Sequence, residues 1–569
     1  MIDLKGKPFN LSDADSAWVD RTLNAMDLRA KVGQLFCPIG TSMDEVWMKA
    51  LLADIQPGGI LFRPKAGAVI RKANQYLQKH SPIPLLIASN LESGGTGIAT
   101  DGTLFGSQLQ VAATGDTKNA YRLGLVSGRE AKATGINWTF SPVVDLDLNF
   151  RNPVTNVRTY GSDPDTVIGM AKAYMQAMHE CGIAVSVKHF PGDGVDERDQ
   201  HLLTSVNGLS VEEWDATYGC VYREMIDSGA QTVMVAHILL PAWQRLMRPD
   251  LKDADLLPAS LAPELMTGLL REKLGFNGVI VSDATTMTGF AMAMKREDAV
   301  PACMAAGCDM FLFNVGIESD FEYMLKGIER GILSLERVDE AVTRILALKA
   351  SLKLHIAKEE DILIPDEGAL NILGSPEHAS WARDCAEKAI TLVKDTQNLL
   401  PLGVEKHRRI LLHVLGDTDS PVTHSCGGSS GQQFRTLLEA KGFQVEIFDM
   451  VSFDPQELQR SPVDQVALYD LVIYYANLVS ASYQTVVRPN WITPYGMRTP
   501  KFIQEKPTLF ISVSSPYHLQ DVPRIQTFIN AYTPSDFVLE ALVEKLVGNS
   551  SFEGTSPVDP FCGLWDARL

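Results

Sequence analysis

Between about residues 30 and 315, short apolar runs alternate with longer stretches in which apolar residues recur at helical spacing. The runs are KVGQLFCPIG (31–40), GGILFRP (58–64), PLLIASN (84–90), INWTFSPVVDL (136–146), IAVSVKHFPG (183–192), QTVMVAHILL (231–240), NGVIVSDA (277–284) and CDMFLFN (308–314). Amphipathic stretches such as GDTKNAYRLGLVSGREAKATG (115–135) and SDPDTVIGMAKAYMQAMHECG (162–182) lie between them. Continuous apolar strands separated by helices make a parallel sheet buried on both faces. Eight such units predict an α/β fold of the (β/α)8 TIM-like barrel type. After residue 350 the pattern changes. Residues 355–378 mix Pro, Gly and charge and read as a linker, and ASWARDCAEKAITLVKD (379–395) reads as a helix. RRILLHVLGD (408–417), FQVEIFD (443–449), DLVIYYANL (470–478), PTLFISVSSP (507–516) and TFINAYTP (527–534) then predict a second α/β sandwich domain with a mainly parallel five-stranded sheet. The expected domains are a catalytic barrel over 1–354, a linker over 355–378 and a C-terminal sandwich over 379–569.

Polar residues end one strand after another: Asn90 and Glu92, Asp145, Lys188 and His189, His237, Asp283, Asn314. Chemistry in such a barrel sits at the C-terminal strand ends, so this placement predicts the site. SVKHFPGDGVDERDQH (186–201) starts as a strand, breaks at Pro191, and runs on as a loop with Asp193, Asp196, Asp199 and His201. Gly192 and Gly194 allow a sharp path there. If locally extended, Asp199 and His201 point the same way, and a carboxylate beside an imidazole fixes its tautomer and raises its basicity. A solvated loop and a metal site of Asp193, Asp196, Asp199 and His201 are the alternatives. Asp283 follows GVIVS directly, placed to be a nucleophile, a base or a metal ligand, or else the cap of the next helix.

Composition narrows the class. Over 569 residues, 45% hydrophobic and 21% charged exclude a disordered chain, a collagen and a small disulfide scaffold. A net charge of −18 repels nucleic acid and anionic lipid without forbidding an anionic substrate. The eight cysteines form no CxxC pair and read as buried, reduced thiols. No apolar run approaches the ~20 residues of a spanning helix, and the N-terminal residues lack a signal-peptide pattern. The expectation is a cytoplasmic enzyme.

KHFPGDG followed by DQH, together with GVIVSDATTMTG, resembles the signature pair of glycoside hydrolase family 3, in its β-N-acetylglucosaminidase and β-glycoside phosphorylase branch. PLLIASNLESGG, FSPVVDLDLN, NPVTNVRTYGSDP and a terminal GTSPVDP (554–560) match further stretches of it. The resemblance implies a retaining double displacement, with Asp283 as nucleophile, His201 as general acid/base and Asp199 orienting it. Asn90, Arg158, Lys188, His189, Gln200 and His237 would bind the sugar. Most retaining glycosidases use a second carboxylate as acid/base; an imidazole in that place does not repel an incoming anion. The implied activity is therefore phosphorolysis of β-glucosides or β-N-acetylglucosaminides, giving a sugar 1-phosphate. Hydrolysis as a β-N-acetylhexosaminidase or β-glucosidase is the alternative, and a non-catalytic sugar-binding protein the alternative of another class. No cofactor and no metal are expected, only inorganic phosphate as co-substrate. The partners would be a small β-glycoside and phosphate, without nucleic acid or membrane; a homodimer is compatible with the sequence.

The chain departs from the branch pattern at Asn90 and Thr96, where an acid and an Arg are usual, at Asp193 for His, at Ala284 for Asp, and at Gln200 for the Ser between the dyad residues. Gln200 facing the sugar's second carbon would crowd out an acetamido group; Gln200 facing solvent would do nothing. In the second domain, THSCGGSSGQQFRTLLEA (423–440) reads as an anion cradle, or more readily as a turn packing against the barrel or a dimer contact; whether His424 reaches an active site across a domain or subunit boundary stays open. Trp491 and Tyr495 read as sugar-stacking or buried aromatics.

Overall fold

The structure, a computed structural model, describes residues 2–417, 429–448, 461–491, 496 and 498–569. The chain folds into two compact units. The first comprises Met1–Phe105, Ala120–Asn149 and Pro164–Ala379; the second comprises Gly106–Asn119, Phe150–Asp163 and Ser380–Leu569.

The first unit holds strands β1 (Ile39–Gly40), β2 (Gly59–Phe62), β3 (Leu86–Ser89), β4 (Trp138–Thr139), β5 (Ala184–Phe190), β6 (Ser205–Val206), β7 (Thr232–Val235), β8 (Ile238–Leu239) and β9 (Val279–Ser282). Seven of them form one sheet in the order β1-β2-β3-β4-β5-β7-β9, parallel throughout, and β6 pairs only with β8. Every residue of β2, β3, β5, β7 and β9 is buried. That is why these strands read as continuous apolar runs rather than alternating ones. Helices cover the outer face: Pro164–Glu180 turns Val167, Met170, Ala171, Tyr174 and Met178 inward, at the spacing of one helix face.

Four of the eight expected strands differ: INWTFSPVVDL keeps only Trp138–Thr139, and QTVMVAHILL divides into β7 and β8, of which β8 leaves the main sheet. In KVGQLFCPIG, Asp27 caps a helix over Leu28–Gln34 by accepting from Ala30 N–H, which leaves only Ile39–Gly40 as a strand. CDMFLFN makes no ladder; Met310 bridges Val281 of β9 and Phe311 bridges Phe36. Its backbone bonds reach both edges of the sheet, Ser282 N–H donating to Met310 O (3.0 Å) and Cys37 N–H to Phe311 O (3.1 Å). The sheet is accordingly a curled one of seven regular strands. At its N-terminal end Asp309 accepts from Ile280 N–H (2.9 Å) and is ringed by Arg271, Arg337 and Arg344. Residues 355–378 carry helical turns at Leu354–Glu359 and Glu367–Ile372 and belong to this unit.

Among its described residues the second unit has six strands where five were expected: β10 (Thr391–Asp395), β11 (Arg409–Gly416), β12 (Gln444–Ile447), β13 (Leu471–Asn477), β14 (Thr508–Ser512) and β15 (Thr527–Asn530), in the order β10-β15-β14-β13-β11-β12. All pairs are parallel except β10 with β15. The extra strand is TLVKD: the helix expected over 379–395 ends at Ala389, and the β-branched Thr391 and Val393 favour the extended chain. Successive residues feed opposite faces, with Ile410, Leu412, Ile473 and Tyr475 on one and Leu411, Val472, Tyr474 and Phe510 on the other. Among the described residues no helix is long and apolar enough to cross a membrane.

Candidate active site

The chemistry-bearing side chains of the first unit gather where its strands end. In β5 the register against β7 shifts between Val187 and Phe190, and Lys188 and His189 lie at that irregularity. Such bulges re-aim side chains at strand ends. Lys188 is buried and pairs with Glu92 (2.7 Å), while its ammonium also donates to Asn90 Oδ1 (3.2 Å). Asp145 organises the neighbouring residues: its carboxylate accepts from His189 N–H (3.0 Å), His189 Nδ1 (2.6 Å) and Asp193 N–H (2.8 Å). Because a carboxylate can only accept, the His189 proton sits on Nδ1.

The loop after Pro191 is held by its own acids. Gly192 has φ +121°, and a Cβ there would meet the Tyr218 ring at 2.2 Å, so glycine is required twice over. Asp193 caps Gly194 N–H (2.7 Å). Asp196 takes Arg198 Nε (2.7 Å) and Val206 N–H (2.8 Å). Asp199 Oδ1 accepts from both His201 N–H (2.8 Å) and His201 Nδ1 (2.7 Å). The dyad therefore forms across a turn, with Leu202 N–H bonding back to Asp199 O (2.9 Å), and not across an extended segment. Asp199 is wholly buried whereas the His201 ring is partly open. Of the four residues weighed as metal ligands, Asp199 and His201 bond each other while Asp193 and Asp196 take other donors, and among the described residues no three His, Cys, Asp or Glu side chains are grouped to hold a metal ion.

Asp283 continues the β9 ladder, its N–H donating to Val235 O (2.8 Å), and its carboxylate accepts from Ala284 N–H (2.7 Å). Burial raises the pKa of this carboxyl, but the imidazoles of His189, His237 and His201 outweigh it, and the group lies below the usual carboxylate range. His237 is buried, which pushes its pKa down to about 4. Its Nε2–H donates to Ala284 O (3.1 Å), so Nδ1 accepts from Ser260 Oγ–H (2.7 Å). Gln200 is buried too; its Nε2 donates to Asp193 Oδ2 (3.3 Å) and its Oε1 accepts from His237 N–H (2.9 Å). The solvent-facing alternative for Gln200 is thereby removed. Asn314 serves a support: it donates to Asp320 (3.1 Å), which also holds Arg296.

Asn90, Lys188, His189, Asp199, Gln200, His201, His237 and Asp283 all belong to the first unit, whereas Arg158 belongs to the second, on a turn where its N–H bonds to Thr155 O (2.7 Å). Trp491 packs on the core of the second unit, edge-on to Tyr474. His424, most of the Gly/Ser-rich segment around it, and Tyr495 lie outside the described residues. Ser260 escaped the sequence reading because the short turn that carries it, Ala259–Leu261, has no motif of its own.

Comparison with known proteins places this arrangement. Residues 27–348 match the Glycosyl hydrolase family 3 N terminal domain. A Cellulomonas fimi protein described as Beta-N-acetylglucosaminidase/beta-glucosidase is 47% identical over 573 residues, covering 100% of both chains. The solved structure of a Beta-glucoside phosphorylase BglX superposes with a TM-score of 0.93 at 45% identity over 99% of each chain. A family 3 β-N-acetylglucosaminidase from Paenibacillus shares the fold at 24% identity, with a TM-score of 0.77 over 95% of this chain and 100% of its own. The molecule is a glycosidase-type enzyme. It belongs to glycoside hydrolase family 3, in agreement with the resemblance carried by KHFPGDG, DQH and GVIVSD.

Proposed function

We propose that this enzyme is a retaining β-glycoside phosphorylase working on a (β/α)8-type barrel. In the first step Asp283 attacks the anomeric carbon of a β-glucoside or β-N-acetylglucosaminide, the glycosidic C–O bond breaks, and His201 Nε2 gives its proton to the leaving oxygen. A covalent glycosyl ester on Asp283 results. In the second step a phosphate oxygen attacks the same carbon, Asp283 leaves as carboxylate, and the phosphate proton returns to His201. The product is a sugar 1-phosphate of retained configuration. Asp199 keeps the His201 proton at Nδ1 and so directs exchange to Nε2. Asn90, Lys188 and His189 are the sugar-binding donors and acceptors, best placed if they tighten as the transition state forms.

The observation that carries this reading is the dyad: the acid/base position holds an imidazole oriented by a buried carboxylate (Nδ1 to Oδ1, 2.7 Å). Once its proton has left, that imidazole is neutral. A carboxylate base there would repel an anionic acceptor; at ~4 Å and an effective dielectric of 20, one such repulsion is worth about 4 kcal/mol. The 45% identity to a protein described as a β-glucoside phosphorylase supports the same choice. The rival reading, hydrolysis, is favoured by the description of the 47% identical Cellulomonas fimi protein.

The test follows aryl β-glucoside turnover with and without millimolar phosphate and identifies the sugar released. The expected result is a phosphate-dependent rate and a sugar 1-phosphate. Free sugar at an unchanged rate overturns phosphorolysis in favour of hydrolysis.

A further inference from the structure

Gln200 stands between the two dyad residues, and it is buried and fully tied. Its side-chain amide joins Asp193, at the start of the loop, to the backbone N–H of His237, just past the end of β7 (3.3 and 2.9 Å). Its own carbonyl accepts from Gly289 N–H (3.1 Å), and the next carbonyl, that of His201, accepts from Thr288 N–H (3.1 Å). His237 carries the connection onward through its Nε2–H to Ala284 O (3.1 Å), one residue from Asp283. An unbroken series of bonds thus runs from Asp193 through Gln200 and His237 to the turn that bears the nucleophile. The fit is close: a Cβ on Gly289 would lie 2.8 Å from Gln200 O and 3.0 Å from His237 Cβ.

A side chain with a donor and an acceptor at the end of a three-carbon reach can span this gap; a hydroxyl on one carbon cannot touch both partners. Acid catalysis is steep in placement, since a shift of about 1 Å costs roughly a hundredfold. We propose that Gln200 is a positioning residue: it sets the distance between the loop carrying His201 and the turn carrying Asp283, and acts through His201 rather than on the sugar. This rests on the roles proposed above for His201 and Asp283.

The test uses leaving groups. A 2,4-dinitrophenyl β-glucoside departs without a proton, whereas an alkyl β-glucoside needs one. kcat/KM reports the first chemical step for both. Gln200→Met keeps the volume and removes both amide bonds. It is expected to lower kcat/KM by about a hundredfold on the alkyl glucoside and by less than about threefold on the dinitrophenyl one. His201→Ala is the reference and should show the same contrast more strongly. Should Gln200→Met fail to fold, Gly289→Ala presses on the same carbonyl and is expected to give the same pattern.

Equal loss on both substrates, no loss on either, or a change confined to the ratio of glucoside to N-acetylglucosaminide turnover each overturns the proposal, the last by returning Gln200 to sugar recognition. If His201→Ala itself fails to separate the two leaving groups, the assigned acid/base falls instead, and the two failures are told apart.

Discussion

Two aspartates stand at opposite ends of β9 and show how a buried carboxylate is made structural or reactive. Asp309, at the N-terminal end, is completely enclosed; it accepts from Ile280 N–H and is met by Arg271, Arg337 and Arg344. Asp283, at the C-terminal end, is half-buried and faces imidazoles and one backbone N–H. Burial raises both carboxyls and their neighbours lower both below the usual range, so the charge state is the same. The compensating groups differ. A guanidinium is permanently cationic and offers a fork of donors that occupies the carboxylate oxygens. An imidazole offers no such fork, and His237, its pKa pushed down to about 4 by burial, is uncharged near neutral pH. A carboxylate kept ionised without being covered by cations retains lone pairs for an electrophilic carbon.

The largest expected effect is on turnover. Asp283→Ala should lower kcat by about ten-thousandfold or more, because the covalent step loses its nucleophile, while thermal unfolding moves by less than about 1 kcal/mol. Trapping with a 2-fluoro sugar followed by peptide mapping should find the adduct on Asp283. An adduct on another residue, or near-normal turnover by the alanine variant, would erase the contrast between the two aspartates.

The mirror experiment comes second. Asp309→Asn keeps the shape but strands three guanidiniums, so it should cost roughly 3 kcal/mol of stability in urea unfolding. Turnover of the protein that stays folded should be nearly normal. Linkage gives a further signature. The Asp309 carboxyl has a lower pKa folded than unfolded, so its contribution is fully present above the unfolded value near 4 and is lost as pH falls through the folded value. The wild type should lose more stability than Asp309→Asn on acidification below about pH 4. Parallel curves for the two proteins would show that the arginine ring is not what holds Asp309 ionised.

The contrast also marks what the sequence made legible. The site end of the sheet could be read because its residues follow apolar runs: Lys188 and His189 after AVSV, Asp283 after VIVS, and the D-x-H spacing in one loop. The arginine end could not: Arg337 and Arg344 share one helix two turns apart, a spacing that reads as an ordinary charged helix face, and Arg271 and Asp309 come from distant segments that nothing in the chain links to it. Asp27 already marked a helix start before KVGQ, but the apolar run following it masked the cap. TLVKD was absorbed into a helix whose periodic pattern ends before it, at Ala389. The direction of Gln200 was undecidable from the chain, because an extended segment sends alternate residues to opposite sides whereas the real 199–202 segment is a turn. Two of the departures from the branch pattern, Asp193 and Gln200, prove to be partners in one contact.

The smallest effect concerns Ser260, which tests whether the uncharged state of His237 belongs to the reactive end of β9. The Ser260 hydroxyl donates to His237 Nδ1 and thereby leaves the proton on Nε2, where it bonds Ala284 O beside the nucleophile. Ser260→Ala leaves a buried ring nitrogen without its donor, at a cost of about 1 kcal/mol. The ring can recover a bond only by moving its proton or turning, and either releases Ala284. A several-fold fall in kcat should accompany the stability loss, and nitrogen chemical shifts of His237 should report the altered tautomer. His237 protonates near pH 6.5 in the unfolded chain but only near 4 when folded. The unfolded state therefore binds more protons between those values, and stability falls as pH drops from 6.5 to 4. If Ser260→Ala left kcat and the His237 nitrogen shifts unchanged, the hydroxyl would be a packing contact, and the neutral imidazole would owe its state to burial alone.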